Sequence, residues 1–309
     1  MMLKVFILFL SSSILCWAHD SSTIDLLSTN DDIYIAGYYG FNDQTPMPVA
    51  RSDITSTLFY ANENKYGVDA IYVVGGCDAD QFCSVDNSTG ALFCNCGHVT
   101  DLCLVYFPSS NSWEHCATLP RPRFRHSWAK AQGKLYLMGG CDINGTNINA
   151  VDEYDPILDV WSTPYNWTNP TTNGIGFGIN NMVYQVGGYG GPDTNYSAVA
   201  TMNSLNLDTG EWNFSLPTMA VPRGDIELAI VNGEYYVLGG WHYYNLNSTL
   251  NTCNYPLSLM ESFNPTTMTW TTRTPMNLAR GDVAIGVLGD KLFAIAGETY
   301  ANYSVDPTW

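Results

Sequence analysis

Apolar and polar positions along the chain fall into a repeating unit. An apolar run closed by two glycines occurs at Ile71–Gly76, Lys134–Gly140, Val183–Gly188 and Tyr235–Gly240, with weaker copies at Ile33–Gly37 and Leu292–Gly297. Each run has the length and content of a short strand. Its closing glycines, Gly75 and Gly76, Gly139 and Gly140, Gly187 and Gly188, Gly239 and Gly240, and Gly297, allow positive φ and close backbone approach. The first residues of the pairs sit at 36, 75, 139, 187, 239 and 296, so the steps are 39, 64, 48, 52 and 57.

The steps vary, but two internal distances hardly do. Trp113, Trp161 and Trp270 each precede the first residue of a pair by 26, and Trp212 does so by 27. Arg123, Arg223 and Arg280 each precede theirs by 16, while Arg51 does so by 24, which places an insertion in Phe59–Val68. A module this small cannot bury its own apolar face, so the copies must pack on one another. The reading is all-β throughout.

These residues resemble kelch repeats, the four-stranded antiparallel blades of a β-propeller. The pattern is seen in Tyr154-Asp155-Pro156 before Trp161, in Phe263-Asn264-Pro265 before Trp270, and in Tyr106 before Trp113. The links between modules are Leu119-Pro120-Arg121-Pro122-Arg123, Pro217 to Arg223 and Pro275 to Arg280, with Thr171 where one arginine is expected. The resemblance implies a kelch-type propeller over residues 19–309, with six blades as the expected number. The terminal modules are short, with 13 residues between Gly37 and Arg51 and twelve after Gly297.

The start of the chain reads as a secretory signal peptide, residues 1–18: Lys4, an apolar stretch too short to span a bilayer, then Cys16-Trp17-Ala18. Nine cysteines less Cys16 leave Cys77, Cys83, Cys94, Cys96, Cys103, Cys116, Cys141 and Cys253 as disulfide candidates. Five of them crowd into a Cys-rich insertion at 77–103. A zinc site from Cys94, Cys96, His98 and Cys103 is the alternative reading of that cluster. Asn87, Asn144, Asn166, Asn195, Asn213, Asn247 and Asn302 each begin a glycosylation sequon. The expected product is a secreted or secretory-lumen glycoprotein without a transmembrane segment. A formal charge of −17 argues against nucleic acid as a partner.

The link arginines Arg51, Arg123, Arg223 and Arg280 carry two readings. The resemblance places them near one mouth of the central channel, where guanidinium groups suit the carboxylates of a peptide or sugar acid. Alternatively they satisfy carbonyls or acids within the fold, Asp53, Asp225 and Asp282 each following an arginine by two. Arg223-Gly224-Asp225 and Arg280-Gly281-Asp282 spell an adhesion tripeptide, but their shared repeat position makes a structural cause sufficient. Trp241 and His242, just past a diglycine, are candidates for a carbohydrate-stacking loop.

No nucleophile elbow, zinc-protease, P-loop or dinucleotide motif is present, and no cofactor or metal is expected. The sequence therefore leans away from an enzyme, toward a binding module for an extracellular protein or carbohydrate. The resemblance also implies an alternative, a carbohydrate-active propeller enzyme of the sugar-acid mutarotase or the oxidase kind. Asp225, Glu227 and Asp282 would be its acidic candidates.

Overall fold

The computed structural model describes residues 44–79, 81–85, 92–190, 197–245 and 252–299. Four four-stranded antiparallel sheets follow one another along the chain. Blade I is β1 (Thr55–Phe59), β2 (Ala70–Val74), β5 (Cys103–Phe107) and β6 (Ser112–His115). Its hairpin β3 (Gln81–Val85) and β4 (Leu92–Cys96) is inserted between β2 and β5. Blade II is β7 (Ser127–Ala131), β8 (Lys134–Met138), β9 (Ala150–Asp155) and β10 (Val160–Asn166). Blade III is β11 (Ile175–Ile179), β12 (Met182–Val186), β13 (Met202–Asn206) and β14 (Trp212–Asn213). Blade IV is β15 (Glu227–Val231), β16 (Glu234–Leu238), β19 (Met260–Asn264) and β20 (Thr269–Arg273), with the hairpin β17 (Trp241–Asn245) and β18 (Thr252–Pro256) inserted. A two-stranded sheet, β21 (Ala284–Leu288) and β22 (Lys291–Ile295), follows.

The expected six blades are corrected by this topology. Among the described residues the propeller has four complete blades, not six. Counting diglycines overstates the number because the last copy brings two strands rather than four, and Ile33–Gly37 lies outside the described residues. The irregular steps also acquire a cause: the longest two, 64 and 57, are those that contain the inserted hairpins.

Period-2 alternation explains how the blades stack. Leu135 and Leu137 of β8 pack with Tyr72, Val74 and Val105 of blade I. Tyr136 and Met138, on the other face of the same strand, pack with Val183 and Leu205 of blade III. Phe177, Val186 and Met202 then meet Tyr235, Val237 and Phe263 of blade IV. Each fully buried large side chain contributes about 1.5–3 kcal/mol. The first strands of neighbouring blades, including β7 with β11 and β15 with β21, lie against one another and form the inner wall.

The repeated residues tie blade to blade. Trp161, Trp212 and Trp270 donate their indole N–H to Ala117 O, Asn166 O and Pro217 O, each in the chain leading out of the preceding blade. Trp113 donates likewise to Thr45 O. The second glycine of each pair donates its N–H to the carbonyl of the next module's link residue: Gly76 to Arg123, Gly140 to Thr171, Gly188 to Arg223 and Gly240 to Arg280. At Gly75, where φ is 62°, a Cβ would lie 2.6 Å from Arg123 O, so the pair must be glycine for the blades to close.

Among the described residues, two disulfides join Cys77 to Cys96 and Cys103 to Cys116. Those bonds consume two of the four ligands of the zinc alternative, which the structure therefore removes. Cys141, counted with the disulfide candidates, is instead a buried free thiol in an apolar cluster with the bonded Cys77 and Cys96. Burial pushes it up to about 12. The β3–β4 register sets Cys83 opposite Cys94, but their side chains and that of Cys253 lie outside the described residues. Residues 1–18 lie outside them too, as do Asn87, Asn195, Asn247 and Asn302. Asn144, Asn166 and Asn213 are described, and all three are exposed.

Candidate functional site

The link arginines do not converge on a ligand. Arg123 is 0% exposed and donates to Leu137 O, Gly139 O and Ala150 O of its own blade while pairing with the Asp152 carboxylate. Arg223, also fully buried, pairs with Glu261 at 2.7 Å. Arg51 donates to Gly75 O and Leu102 O, and Arg280 to Ala296 O and Ala294 O. The fixed spacing of 16 is thus the length of a staple from the link to the end of the blade's second strand. Blade III, with Thr171, replaces the staple by a neutral set. Gln185 Nε2 donates to Thr171 Oγ1 and Gly187 O, and Asn203 Nδ2 donates to Gln185 Oε1.

The residue two positions after each link faces the channel instead. Asp53, Arg125, Asn173, Asp225 and Asp282 share this position and share a left-handed backbone, with φ of 53, 57, 55, 52 and 50°. Their backbones form a chain of hydrogen bonds around the mouth, each N–H donating to the carbonyl of the ring residue before it: Arg125 to Asp53, Asn173 to Arg125, Asp225 to Asn173 and Asp282 to Asp225. All five line a cavity of about 80 Å³, which Glu227, His126 and Trp128 also line. Because strand direction alternates within a blade, these links and the loops after the diglycines lie on one face. A groove of about 540 Å³ between the blade I and blade II loops, lined by His98, Arg121, Ile143 and Asn147, lies on that face too.

The ring forms one polar network. Arg125 Nε lies 3.3 Å from Asp53 Oδ1. Burial alone would lower Arg125, but the Asp53 and Asp225 carboxylates outweigh it and hold the guanidinium above its ordinary value. Tyr189 OH donates to Asp225 Oδ2 at 2.6 Å, and Asn173 Nδ2 donates to Asp225 Oδ1. Burial pushes Asp225 up despite these donors, which favour its charged form. Burial likewise pushes Tyr189 well up, so it remains a donor. Glu227, at the start of β15, is pushed up to about 8 by burial. At neutral pH it is therefore mainly a carboxylic acid beside carboxylates. His126 is 7% exposed with neither ring nitrogen hydrogen-bonded, and burial and Arg123 push it down to about 3.

The two Arg-Gly-Asp triplets now have a local cause. The arginine staples the blade, the aspartate joins the ring, and the glycine passes under an aromatic ring from the preceding module's loop. A Cβ at Gly224 would lie 2.5 Å from the Tyr189 ring, and one at Gly281 would strike Trp241. Trp241 accordingly lies over Gly281, next to the ring residue Asp282, without itself lining the cavity. His242 is held through Nδ1 on Pro222 O beside the Tyr255 ring and does not line the cavity. Of the residues singled out from sequence, Asp53, Asp225, Glu227 and Asp282 come together at the mouth. Arg125, Asn173 and Tyr189 join them, and aligning the modules on the link position would have found the first two.

Among the described residues no helix is long and apolar enough to cross a membrane, and no group of His, Cys, Asp and Glu is arranged to hold a metal. No family model matches the chain. It is 29% identical to Kelch-like protein terF of Aspergillus terreus over 64% of this chain and 44% of that protein. It is 24% identical to Kelch-like protein 26 of Danio rerio over 74% of this chain and 34% of that one. The chain thus spans less than half the length of these relatives. In solved structures it is similar to YjhT, with a TM-score of 0.64 and 16% identity over 84% of this chain and 80% of that one. The leaning away from an enzyme is corrected here. It rested on missing motifs, whereas the chain shares its fold with YjhT and gathers its acid–base groups in space at the channel mouth. The chain is an all-β propeller protein distantly related to the kelch-type proteins.

Proposed function

We propose that the protein is a carbohydrate-active propeller enzyme of the mutarotase kind, interconverting sugar anomers at the channel mouth. The observation that carries this reading is the meeting in one cavity of Glu227, which burial pushes up to about 8, with Asp225, whose two oxygens accept from Tyr189 OH and Asn173 Nδ2. Mutarotation needs only such a pair. An acid protonates the ring oxygen while a base takes the proton of the anomeric hydroxyl, the bond from the anomeric carbon to the ring oxygen breaks, and a free aldehyde or ketone forms. Rotation about the adjacent carbon–carbon bond and the reverse transfers close the ring on the other face. Glu227 is the acid and Asp225 the base, with Tyr189 and Asn173 orienting Asp225.

Trp241 offers a ring at the rim on which a sugar face can stack. The cavity is small enough that only one end of the sugar enters, which suits a reaction confined to the anomeric carbon. Action outside the cell or in the secretory lumen is supported by the two disulfides and the exposed sequons.

The test is exchange NMR on equilibrated α and β galactose with and without protein. The expected result is cross-peak build-up faster than the buffer rate and lost in Asp225→Asn, a substitution the ring tolerates because Asn173 natively holds the equivalent place. Exchange no faster than in buffer would refute the reading.

A further inference from the structure

The charge at the mouth selects among sugars, and it does not select a sugar acid. Of the eleven lysines and arginines among the described residues, Arg125 alone lines the cavity, and Asp53 already pairs with it. The four link arginines are held within their blades. Lys65, Lys130, Lys134 and Arg273 are paired with Asp159, Glu63, Glu153 and Glu234, none of which lines the cavity. Arg121 pairs with Asp152, and Lys291 sits on β22. Against one guanidinium the cavity gathers three aspartates, Asp53, Asp225 and Asp282, beside the protonated Glu227. The neutral partners point to a ligand that donates and accepts hydrogen bonds. His126, more than nine-tenths buried, lines the cavity with both ring nitrogens unpartnered, and Asn173 Oδ1 is a buried acceptor without a donor.

From this arrangement we infer that the substrate is an amino sugar, its ammonium group set among the ring carboxylates and its hydroxyls on Asn173 and His126. The inference rests on the carbohydrate reading above and narrows it. A carboxylate ligand would have to displace Asp53 from Arg125 while facing the other acids. An ammonium group is drawn to the aspartates of the ring and leaves the Asp53–Arg125 pair in place. A neutral hexose falls between, since carboxylates accept from its hydroxyls without a charge term.

Galactosamine, galactose and galacturonate differ mainly in this charge and serve as probes. Their dissociation constants are measured by calorimetry at pH 7 and low salt on the wild-type chain, with anomer exchange followed in parallel. The expected order is galactosamine tightest, galactose weaker by about tenfold, and galacturonate weakest. Raised salt should compress that order. Asp282→Asn, and independently Asp53→Asn, which frees Arg125, should each shrink the gap between amine and acid by about tenfold. Galacturonate binding tightest would overturn the inference and leave the carbohydrate reading standing. The expected order without anomer exchange would support the inference and refute the enzymatic reading. No binding of any probe would overturn both.

Discussion

Replacing the Arg123 staple by the neutral set of blade III tests whether the link arginines are structural. Arg123→Thr removes a guanidinium that reaches three carbonyls and Asp152, all inside blade II. Asp152 is 0% exposed and would keep only Thr163 Oγ1 at 2.6 Å and Arg121 at 3.4 Å. Breaking a buried pair by removing one partner costs about 3–5 kcal/mol, because the remaining charge stays desolvated. The expected loss is therefore about 4 kcal/mol. Leu137 and Asp152 lie in paired register on β8 and β9, as Gln185 and Asn203 do on β12 and β13. Arg123→Thr/Leu137→Gln/Asp152→Asn thus rebuilds the Thr171–Gln185–Asn203 network one blade earlier. Exchanging a buried ion pair for fully bonded neutral groups is close to neutral. Because Leu137→Gln also gives up about 1.5–3 kcal/mol of packing on blade I, the triple variant should recover about 1–2 kcal/mol of the single variant's loss. Equilibrium urea unfolding followed by tryptophan fluorescence reads both values. A single variant costing under about 1 kcal/mol, or a triple variant no better than the single, would mean that Arg123 does not staple blade II.

Three further outcomes are expected. Gly224→Ala drives a methyl group into the Tyr189 ring and should cost about 1–3 kcal/mol in urea unfolding, while Gly286→Ala, in open space and without a positive φ, should cost less. Cys103→Ser/Cys116→Ser opens a 13-residue loop and should lower stability by about 3 kcal/mol in the same assay, an unchanged midpoint contradicting it. Expressed in a eukaryotic secretory host, the chain should carry glycans at the exposed Asn144, Asn166 and Asn213 by peptide mass spectrometry, and unmodified peptides at all three would count against export.

What was legible in the sequence is what each blade does in the same way with the same residue. The diglycine, the tryptophan wedge and the arginine staple are interactions within a blade or between one blade and its neighbour, so their spacing survives insertions elsewhere. The inserted hairpins β3–β4 and β17–β18 lengthen the steps without touching those distances. Blade number was not legible, since a diglycine marks only the end of a second strand and says nothing of whether the third and fourth follow. The ring escaped for another reason. Its position fixes a backbone conformation and a direction, not a residue type, so Asp53, Arg125 and Asn173 are equivalent in φ and unlike in chemistry. Arg223 and Arg280 drew attention by charge, yet Arg223 is buried against Glu261 and Arg280 is spent on Ala296 O and Ala294 O, while Glu227 carries no motif and acquires its protonation from burial alone.

If a protonated Glu227 at the channel mouth drives sugar chemistry, the rate of anomer exchange must follow its titration. Glu227 holds its proton below about 8, so the wild-type rate should stay high through neutral pH and fall as pH rises past that value. Glu227→Gln should remove this falling limb and lower the protein-dependent rate by about 10²–10⁴-fold while leaving sugar binding in place. A rate that climbs through pH 8, or one that Glu227→Gln leaves unchanged, would contradict that role.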